Sequence, residues 1–297
     1  MKKKKLIMTL LVRDEEDILE SNICFHLNSG VDFIVAIDNW SIDKTPNILE
    51  KYQRKGLLSY EIVKEHTYEQ SKWVSSMAVK ARSMGATHIF HCDADEFWYP
   101  KSGNLKDYLP TKNEIFYVSL LNYLPPKIHL FSSIAPRLVV VKPGNYPSKN
   151  PESSKLLLYK YPRKVLTPSR FDQVAMGNHD VVTDGKVAKI ELDDKIIIHH
   201  FSIRGFNHFK RKVVNGGSAY AKNPDQNPSL GWHWKKWHKL YLDNKLELEY
   251  ESICLKNESD GFIRDGIVRW CQIPKRIALA KKIFVFENLF NSFGNGD

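Results

Sequence analysis

Four apolar runs of strand length alternate with helical stretches, and this limits the first hundred residues to an α/β plan. The runs are Leu6 to Val12, Phe33 to Ile37 closing on Asp38, Ser59 to Val63, and His88 to Cys92 closing on Asp93. Between the first two, residues Glu15 to Asn28 place Ile18, Leu19, Ile23, Cys24 and Leu27 at helical spacing. Thr45 to Lys55 reads as a helix with Pro46 in its first turn, and Glu69 to Met84 as a third. Gly30, Gly56 and Gly85 follow these stretches as helix stops. Strands joined by helices pair in parallel, and parallel sheets bind ligands beyond the carboxyl ends of their strands. Three polar clusters fall at those ends: Arg13-Asp14-Glu15, Asp38-Asn39-Trp40-Ser41-Ile42-Asp43 and Asp93-Ala94-Asp95-Glu96.

Farther along, Ile115 to Leu121, Leu138 to Val141 and Lys195 to Phe201 read as strands. Between Pro143 and Pro168, Pro, Ser, Lys and Asn dominate, which predicts irregular loops or short hairpins over the cleft. The last third is more helical, at Asn207 to Asn215, Trp234 to Asn244 and Pro274 to Phe286. The expected architecture is a Rossmann-like, mainly parallel sheet flanked by helices. Residues 1–205 are expected to form the main α/β domain, with its core at 5–125 and cleft-covering elements at 126–205. Residues 206–297 form a helical extension packed on the same domain.

Hydrophobic residues at 42% and charged residues at 26% exclude a disordered chain. The net charge of +10 arises in the last two-thirds. It points to a partner carrying phosphate or carboxylate groups, or to peripheral contact with an anionic membrane. No motif has the aromatic and glycine spacing of nucleic-acid-binding folds, so no nucleic acid is expected. No apolar stretch nears the ~20 residues that span a bilayer. Lys2 to Lys5 and the run after them read as a basic tail and a strand, because Arg13-Asp14-Glu15-Glu16-Asp17 follows at once. Cys24, Cys92, Cys254 and Cys271 form no CxxC pair, and Cys92 reads as a buried thiol. These features suit a reducing, cytoplasmic setting, at or near the inner face of a membrane.

Asp93-Ala94-Asp95 carries the strongest chemical signal. Two carboxylates at i and i+2, just past a buried strand, can face one divalent cation, and oxygen ligands suit Mg²⁺ or Mn²⁺. Such a cation bridges a diphosphate and stabilises a departing nucleoside diphosphate. His200 ends a strand and can complete the metal shell; strand alternation lets only one of His199 and His200 face the cleft. The segment His208-Phe209-Lys210-Arg211-Lys212, followed by Asn215-Gly216-Gly217, offers cations to a diphosphate or an anionic acceptor, Lys210 among them. Of Trp232, Trp234 and Trp237, two are expected in the core.

Asp93-Ala94-Asp95-Glu96-Phe97, with Val12-Arg13-Asp14-Glu15 and the Asp38 to Asp43 cluster, resembles the family 2-like glycosyltransferases of the GT-A fold, in the subgroup with a D-x-D-E-F pattern. The resemblance covers roughly residues 5–100 and extends to Gly177-Asn178-His179 and His199-His200-Phe201. It implies that Asp38 hydrogen-bonds the nucleobase, with Asn39, Ser41 and Asp43 in the same binding cluster. Arg13 and Glu15 would lie near base and ribose, Asp93 at the ribose or metal, and Asp95 would be the main metal ligand. Trp40 stands where such proteins usually have a smaller residue. The implied reaction moves a sugar from a nucleoside-diphosphate sugar, a UDP-sugar foremost, to a hydroxyl of a glycan or lipid-linked acceptor, with inversion, in surface polysaccharide or lipopolysaccharide synthesis. Inversion needs a general base, for which Asp180, His179 and Asp172 are candidates. One alternative is a nucleotidyltransferase acting on a sugar phosphate, which would need a glycine-rich cationic loop where Val12-Arg13-Asp14-Glu15 is acidic. Another is a non-catalytic protein binding an anionic polymer or membrane, whose binding would survive EDTA and fall with salt.

Overall fold

The computed structural model describes residues 4–64, 69–125, 137–147, 151–183, 186–221, 231–254 and 266–271. The expected alternation opens the chain: β1 (Leu6–Val12), α1 (Leu19–Asn28), β2 (Phe33–Asp38), α2 (Thr45–Arg54), β3 (Leu58–Ile62), α3 (Gln70–Ser83) and β4 (His88–Asp93). β1 pairs in parallel with both β2 and β4, and β2 with β3. Because strand side chains alternate, Leu6, Met8, Leu10 and Val12 pack with Leu19 and Ile23 of α1 and Leu49 of α2. Ile7 packs on the other face with Trp73, Met77 and Ala81 of α3. Burial of both faces explains why these strands read as unbroken apolar runs. Gly30 and Gly85 close α1 and α3 at φ of 95° and 82°, a region that costs residues with a Cβ.

The chain continues through β5 (Glu96–Pro100), β6 (Glu114–Val118), β7 (Leu120–Asn122), β8 (Arg137–Pro143), β9 (Lys164–Pro168), β10 (Gln173–Val174), β11 (Val181–Val182), β12 (Ala188–Glu191) and β13 (Ile196–His200). The main sheet has the order β12-β6-β9-β4-β1-β2-β3. A second sheet, β5-β13-β7, carries His200 beside Glu96 and Asn122. Three helices follow, α4 (Phe206–Ala221), α5 (Trp232–Leu242) and α6 (Leu246–Ile253), and then β14 (Gly266–Cys271), antiparallel to β8. The helices share a core with Leu156, Leu157 and Leu158, centred on Phe209, Val213 and Trp237. This is an α/β protein of Rossmann-like, GT-A type, with a mostly parallel central sheet and a more helical C-terminal part.

Three local expectations change. The run Ile115 to Leu121 divides at Ser119 between two sheets, where Asp193 Oδ1 accepts the Ser119 N–H at 2.9 Å. The stretch expected to be loops ends in β9, which inserts antiparallel between β4 and β6. Its pairing is entirely long-range, and a lysine at its head hides its apolar character. β14 is a strand inside a region expected to be helical, while the helix expected at Pro274 to Phe286 lies outside the described residues. Trp237 is buried, and Trp232 and Trp234 pack half-buried against the same core. No described helix is long and apolar enough to cross a membrane.

Helices α4 and α5 approach closely at Gly217, where an added Cβ would overlap Cβ and Cγ of His238. Gly217→Ala is therefore expected to cost about 1–3 kcal/mol by overpacking. Urea denaturation of the variant measures this, and an unchanged midpoint would show that the helices can separate without cost.

Candidate active site

The carboxyl ends of β1, β2 and β4 meet at a cavity of about 390 Å³, closed from the opposite side by α4 and α5. Arg13, Glu15, Asn39, Asp93, Asp95 and Glu96 line it from the strand ends. Lys164 of β9 and His200 of β13 reach the same space, as does His179 from the turn before β11. Lys212 and His208 enter from α4.

Cations from distant segments hold the carboxylates. Asp95 is 5% exposed, and its Oδ2 accepts a hydrogen bond from Lys212 Nζ at 2.7 Å. Burial pushes its carboxyl pKa up, but Lys212 and His200 outweigh that and hold it below the usual range. Lys212 Nζ also lies 3.2 Å from Glu15 Oε1. Lys164 Nζ is 2.9 Å from both Asp93 Oδ2 and Glu96 Oε1. Glu96 is almost fully buried, and burial lifts its carboxyl to about 8, opposed by Lys164 and reinforced by Asp93. Behind these sits Arg204, 1% exposed, which donates to Glu15 and grips Asp17 with bonds of 2.7 and 2.8 Å. Burial raises the Glu15 carboxyl, yet Arg204 and Lys212 bring it well below the ordinary value.

The histidines divide by orientation. Asn122 Nδ2 donates to Leu157 O at 3.0 Å, which turns Asn122 Oδ1 toward His200 Nδ1, 2.8 Å away. An amide oxygen only accepts, so the His200 proton sits on Nδ1 and Nε2 carries a lone pair. That Nε2 lies 3.8 Å from Asp95 Oδ1. Burial holds His200 neutral, with a pKa of about 4 despite Asp95. His199 points the other way, against Tyr123 and Tyr99. At His179, Nδ1 lies 3.0 Å from Arg163 O, which again fixes the proton on Nδ1 and leaves Nε2 as an acceptor. Burial, with Lys164 adding, holds His179 at about 4.

Other residues singled out from sequence sit elsewhere. Asp38 is fully buried; its Oδ1 accepts from Ser41 N at 3.0 Å and Ser41 Oγ at 2.6 Å, while its Oδ2 has no partner. Ser41 Oγ also accepts from Asp14 N at 2.8 Å, so Ser41 braces the turn after β2. Asp43 accepts from Glu16 N at 3.0 Å and Thr45 N at 2.8 Å, tying together the segments that lead into α1 and α2. Asp180 binds the Tyr117 hydroxyl at 2.6 Å and Lys189 Nζ at 2.8 Å, and Asp172 is exposed; neither lines the cavity. Lys210 is exposed, 5.6 Å from the Tyr241 ring centroid, on the side of α4 away from the cavity-lining Lys212. Helical period could have made that choice, since 208, 212 and 216 share one face of α4. Lys164, Arg204 and Asn122 carried no local signal.

Among the described residues, no cluster of three or more His, Cys, Asp or Glu side chains is arranged to hold a metal. The pair Asp95 Oδ1 and His200 Nε2 nevertheless fits a divalent ion. One atom is an anionic oxygen. The other is a neutral imidazole lone pair whose opposite N–H is anchored, as in metal-binding histidines. A magnesium-type ion draws its remaining ligands from water and phosphate.

Seven histidines resist protonation in the fold: His26 and His91 at about 3, His179, His200, His208 and His233 at about 4, and His88, which is also lowered, each chiefly through burial. An unfolded histidine titrates near 6.5, so the unfolded chain binds more protons below that pH. Their stabilisation is complete above about pH 6.5 and is lost as pH falls toward about 4. Glu96, raised to about 8, and Asp38, also raised by burial, act in the opposite sense but are outnumbered. Stability is expected to fall by at least ~1 kcal/mol per pH unit across this window. Urea midpoints across it test this, and a flat profile would contradict it.

No family model matches the chain, and no curated protein matches it. Solved structures do. Residues 1–349 of S. aureus TarS align at 13% identity over 87% of this chain and 74% of that one, with a TM-score of 0.40. The same protein in complex with UDP-GlcNAc aligns at 12% identity over 88% and 77%, again with a TM-score of 0.40. A 4-diphosphocytidyl-2C-methyl-D-erythritol synthase aligns at 11% identity over 57% of this chain and 77% of its own, with a TM-score of 0.33. The likeness is weak and broad, and it singles out no one family.

Proposed function

We propose that the chain is a metal-dependent glycosyltransferase that uses a nucleoside-diphosphate sugar, a UDP-sugar foremost. The observation that carries this reading is the pairing of Asp95 Oδ1 with the His200 Nε2 lone pair, 3.8 Å apart, at the carboxyl end of the parallel sheet. Asp95 and His200 would hold Mn²⁺ or Mg²⁺, with Asp93 beside them. The ion, when bound, supplies Lewis-acid stabilisation of the departing diphosphate. Lys212 and Lys164 place two further ammonium groups beside the same carboxylates, available to diphosphate oxygens. Arg13 and Asn39 line the cavity at the β1 and β2 ends and would meet the nucleobase and ribose, while Asp38 lies buried behind them and holds the Ser41 turn.

Of the three candidate bases, we favour His179, because it lines the cavity with an unprotonated Nε2 while Asp180 and Asp172 do not. Its Nε2 would take the proton of the attacking acceptor hydroxyl as the bond to the anomeric carbon forms and the bond to the diphosphate breaks, with inversion. A pKa of about 4 makes a weak base, and an incoming diphosphate raises it, because negative charge favours imidazolium. The acceptor is a glycan or lipid-linked saccharide. The exposed cations Lys210, Arg211, Lys235, Lys236 and Lys239 on α4 and α5 suit an anionic one, or an anionic membrane carrying it. A cytoplasmic role in surface polysaccharide synthesis follows from that assignment.

Thermal denaturation with UDP, GDP, ADP and CMP, in Mn²⁺ or in EDTA, tests the reading. A ligand at 100 times its dissociation constant adds about 2.7 kcal/mol. One nucleotide is expected to raise the melting temperature in Mn²⁺, and EDTA or Asp95→Asn to abolish the shift. No shift with any nucleotide would overturn the proposal. A shift that ignores EDTA would overturn the metal's part in it.

A further inference from the structure

Helices α4 and α5 pack inward through Phe209, Val213 and Trp237, and their close approach at Gly217 and His238 fixes which sides face out. At about 100° per residue, Lys235, Lys239 and Leu242 lie roughly 140–160° around α5 from Trp237. All three are exposed, as is Lys236 beside them, and Leu242 shows 64% of its surface. On α4, Lys210 and Arg211 are exposed. Lys210 Nζ lies 5.6 Å from the Tyr241 ring centroid of α5, so the cations of the two helices adjoin. Neither helix contains an Asp or a Glu. The cations of α2 differ, since Lys51 meets Glu20 and Arg54 meets Glu50. Acidic residues resume only at Asp243 and Glu247, past the end of α5.

A positive face two helices wide attracts polyanions in general, and Leu242 narrows the choice. A leucine in water at the end of a lysine row gains nothing from a hydrated saccharide or phosphate chain. Against a bilayer it enters the headgroup layer, while the lysine stems snorkel and keep their ammonium groups among lipid phosphates. The face also adjoins the cavity. Arg211 is both exposed and part of the cavity lining, and the inner sides of the same helices carry Lys212, His233 and Trp234 into it. A lipid headgroup held under α4 and α5 therefore stands beside the cavity mouth.

We propose that the outer faces of α4 and α5 dock on the surface of an anionic phospholipid bilayer, with the cavity mouth at Arg211 beside it. The docking stands without the glycosyltransferase reading; with it, the acceptor is a lipid-linked saccharide rather than a free glycan. Flotation of the full chain with phosphatidylcholine vesicles, with and without about one-third phosphatidylglycerol, measures the docking in the absence of nucleotide. Binding is expected only with phosphatidylglycerol and should fall as salt rises. Each lysine at an anionic surface strengthens binding about fivefold, so Lys210→Glu, Lys236→Glu and Lys239→Glu together should weaken it at least ~100-fold. Lys101→Glu, Lys112→Glu and Lys195→Glu together make the same change in net charge at exposed positions elsewhere, and should weaken it several-fold at most. Leu242→Ser should weaken vesicle binding and leave binding to soluble dextran sulfate unchanged. Melting temperatures check that the variants fold, and glutamine at the same three lysines replaces glutamate where reversed charge destabilises the chain.

No binding to phosphatidylglycerol vesicles, or equal losses in the two triple variants, overturns the docking and leaves the nucleotide-sugar reading standing. Dextran sulfate bound as tightly as the vesicles, with Leu242→Ser weakening neither, makes the face a site for a soluble polyanion and also overturns it. Vesicle binding without any nucleotide shift in the thermal test above keeps the docking and overturns the lipid-linked acceptor.

Discussion

Replacing Arg204 with methionine is expected to cost about 3–5 kcal/mol of folding stability, enough to unfold a marginal domain. The guanidinium is 1% exposed and bonds to Glu15, to both oxygens of Asp17 and, at 3.1 Å, to Phe201 O. Methionine fills similar space but leaves Glu15 buried and Asp17, 30% exposed, without their shared cation. The penalty is that of stranded carboxylates rather than the worth of an ion pair, which in a buried site is often small. Glu15 would then depend on Lys212, 3.2 Å away, and compete for it with Asp95. The variant should therefore also bind nucleotide more weakly under conditions where it is still folded. Urea denaturation gives the first quantity and calorimetric titration the second. A loss below ~1 kcal/mol would mean that water reaches Glu15 and that Arg204 does not organise the site.

His179→Ala is expected to lower turnover about 10²- to 10⁴-fold while leaving donor affinity within a few-fold of wild type. The affinity should hold because a base bonds the acceptor hydroxyl rather than the diphosphate. The rate should fall because the other cavity histidines are placed differently: His200 Nε2 faces Asp95, His208 is held beside Glu15, and His233 packs among Trp232, Trp234 and Trp237. Asp180→Asn serves as the comparison. Its carboxylate is committed to Tyr117 and Lys189 outside the cavity, and its loss should change the rate about twofold or less. Release of nucleoside diphosphate from the nucleotide sugar that stabilises the protein measures both. Should Asp180→Asn be the slow variant and His179→Ala the normal one, the base is Asp180 and the β10–β11 turn must rearrange when acceptor binds.

The sheet was legible in the sequence because its strands are buried on both faces. Leu6 to Val12 and Phe33 to Asp38 are apolar without interruption, and each helix after them ends at a glycine. The clusters at the strand ends were legible for the same reason, since a carboxylate directly after such a strand must lie at the sheet's carboxyl edge. Strand alternation also limited the cleft-facing histidine to one of His199 and His200. β9 was not legible. Lys164 heads it, and its two neighbours, β4 and β6, are far away along the chain. Lys210 was singled out from a run of cations without regard to helix face, and helix period points to Lys212 instead.

The sequence by itself determined the α/β class, the carboxyl-edge position of the site and the acidic residues placed there, because these depend on patterns within single elements. Only the tertiary structure decided what those acids face. Lys164, Asn122, Arg204, His208 and Lys212 lie scattered over the middle and end of the chain, and no local period joins them to Asp93 or Asp95. They converge because each buried carboxylate needs a cation or donor within about 3 Å, and in a folded chain that partner is supplied by whichever segment packs across the sheet edge.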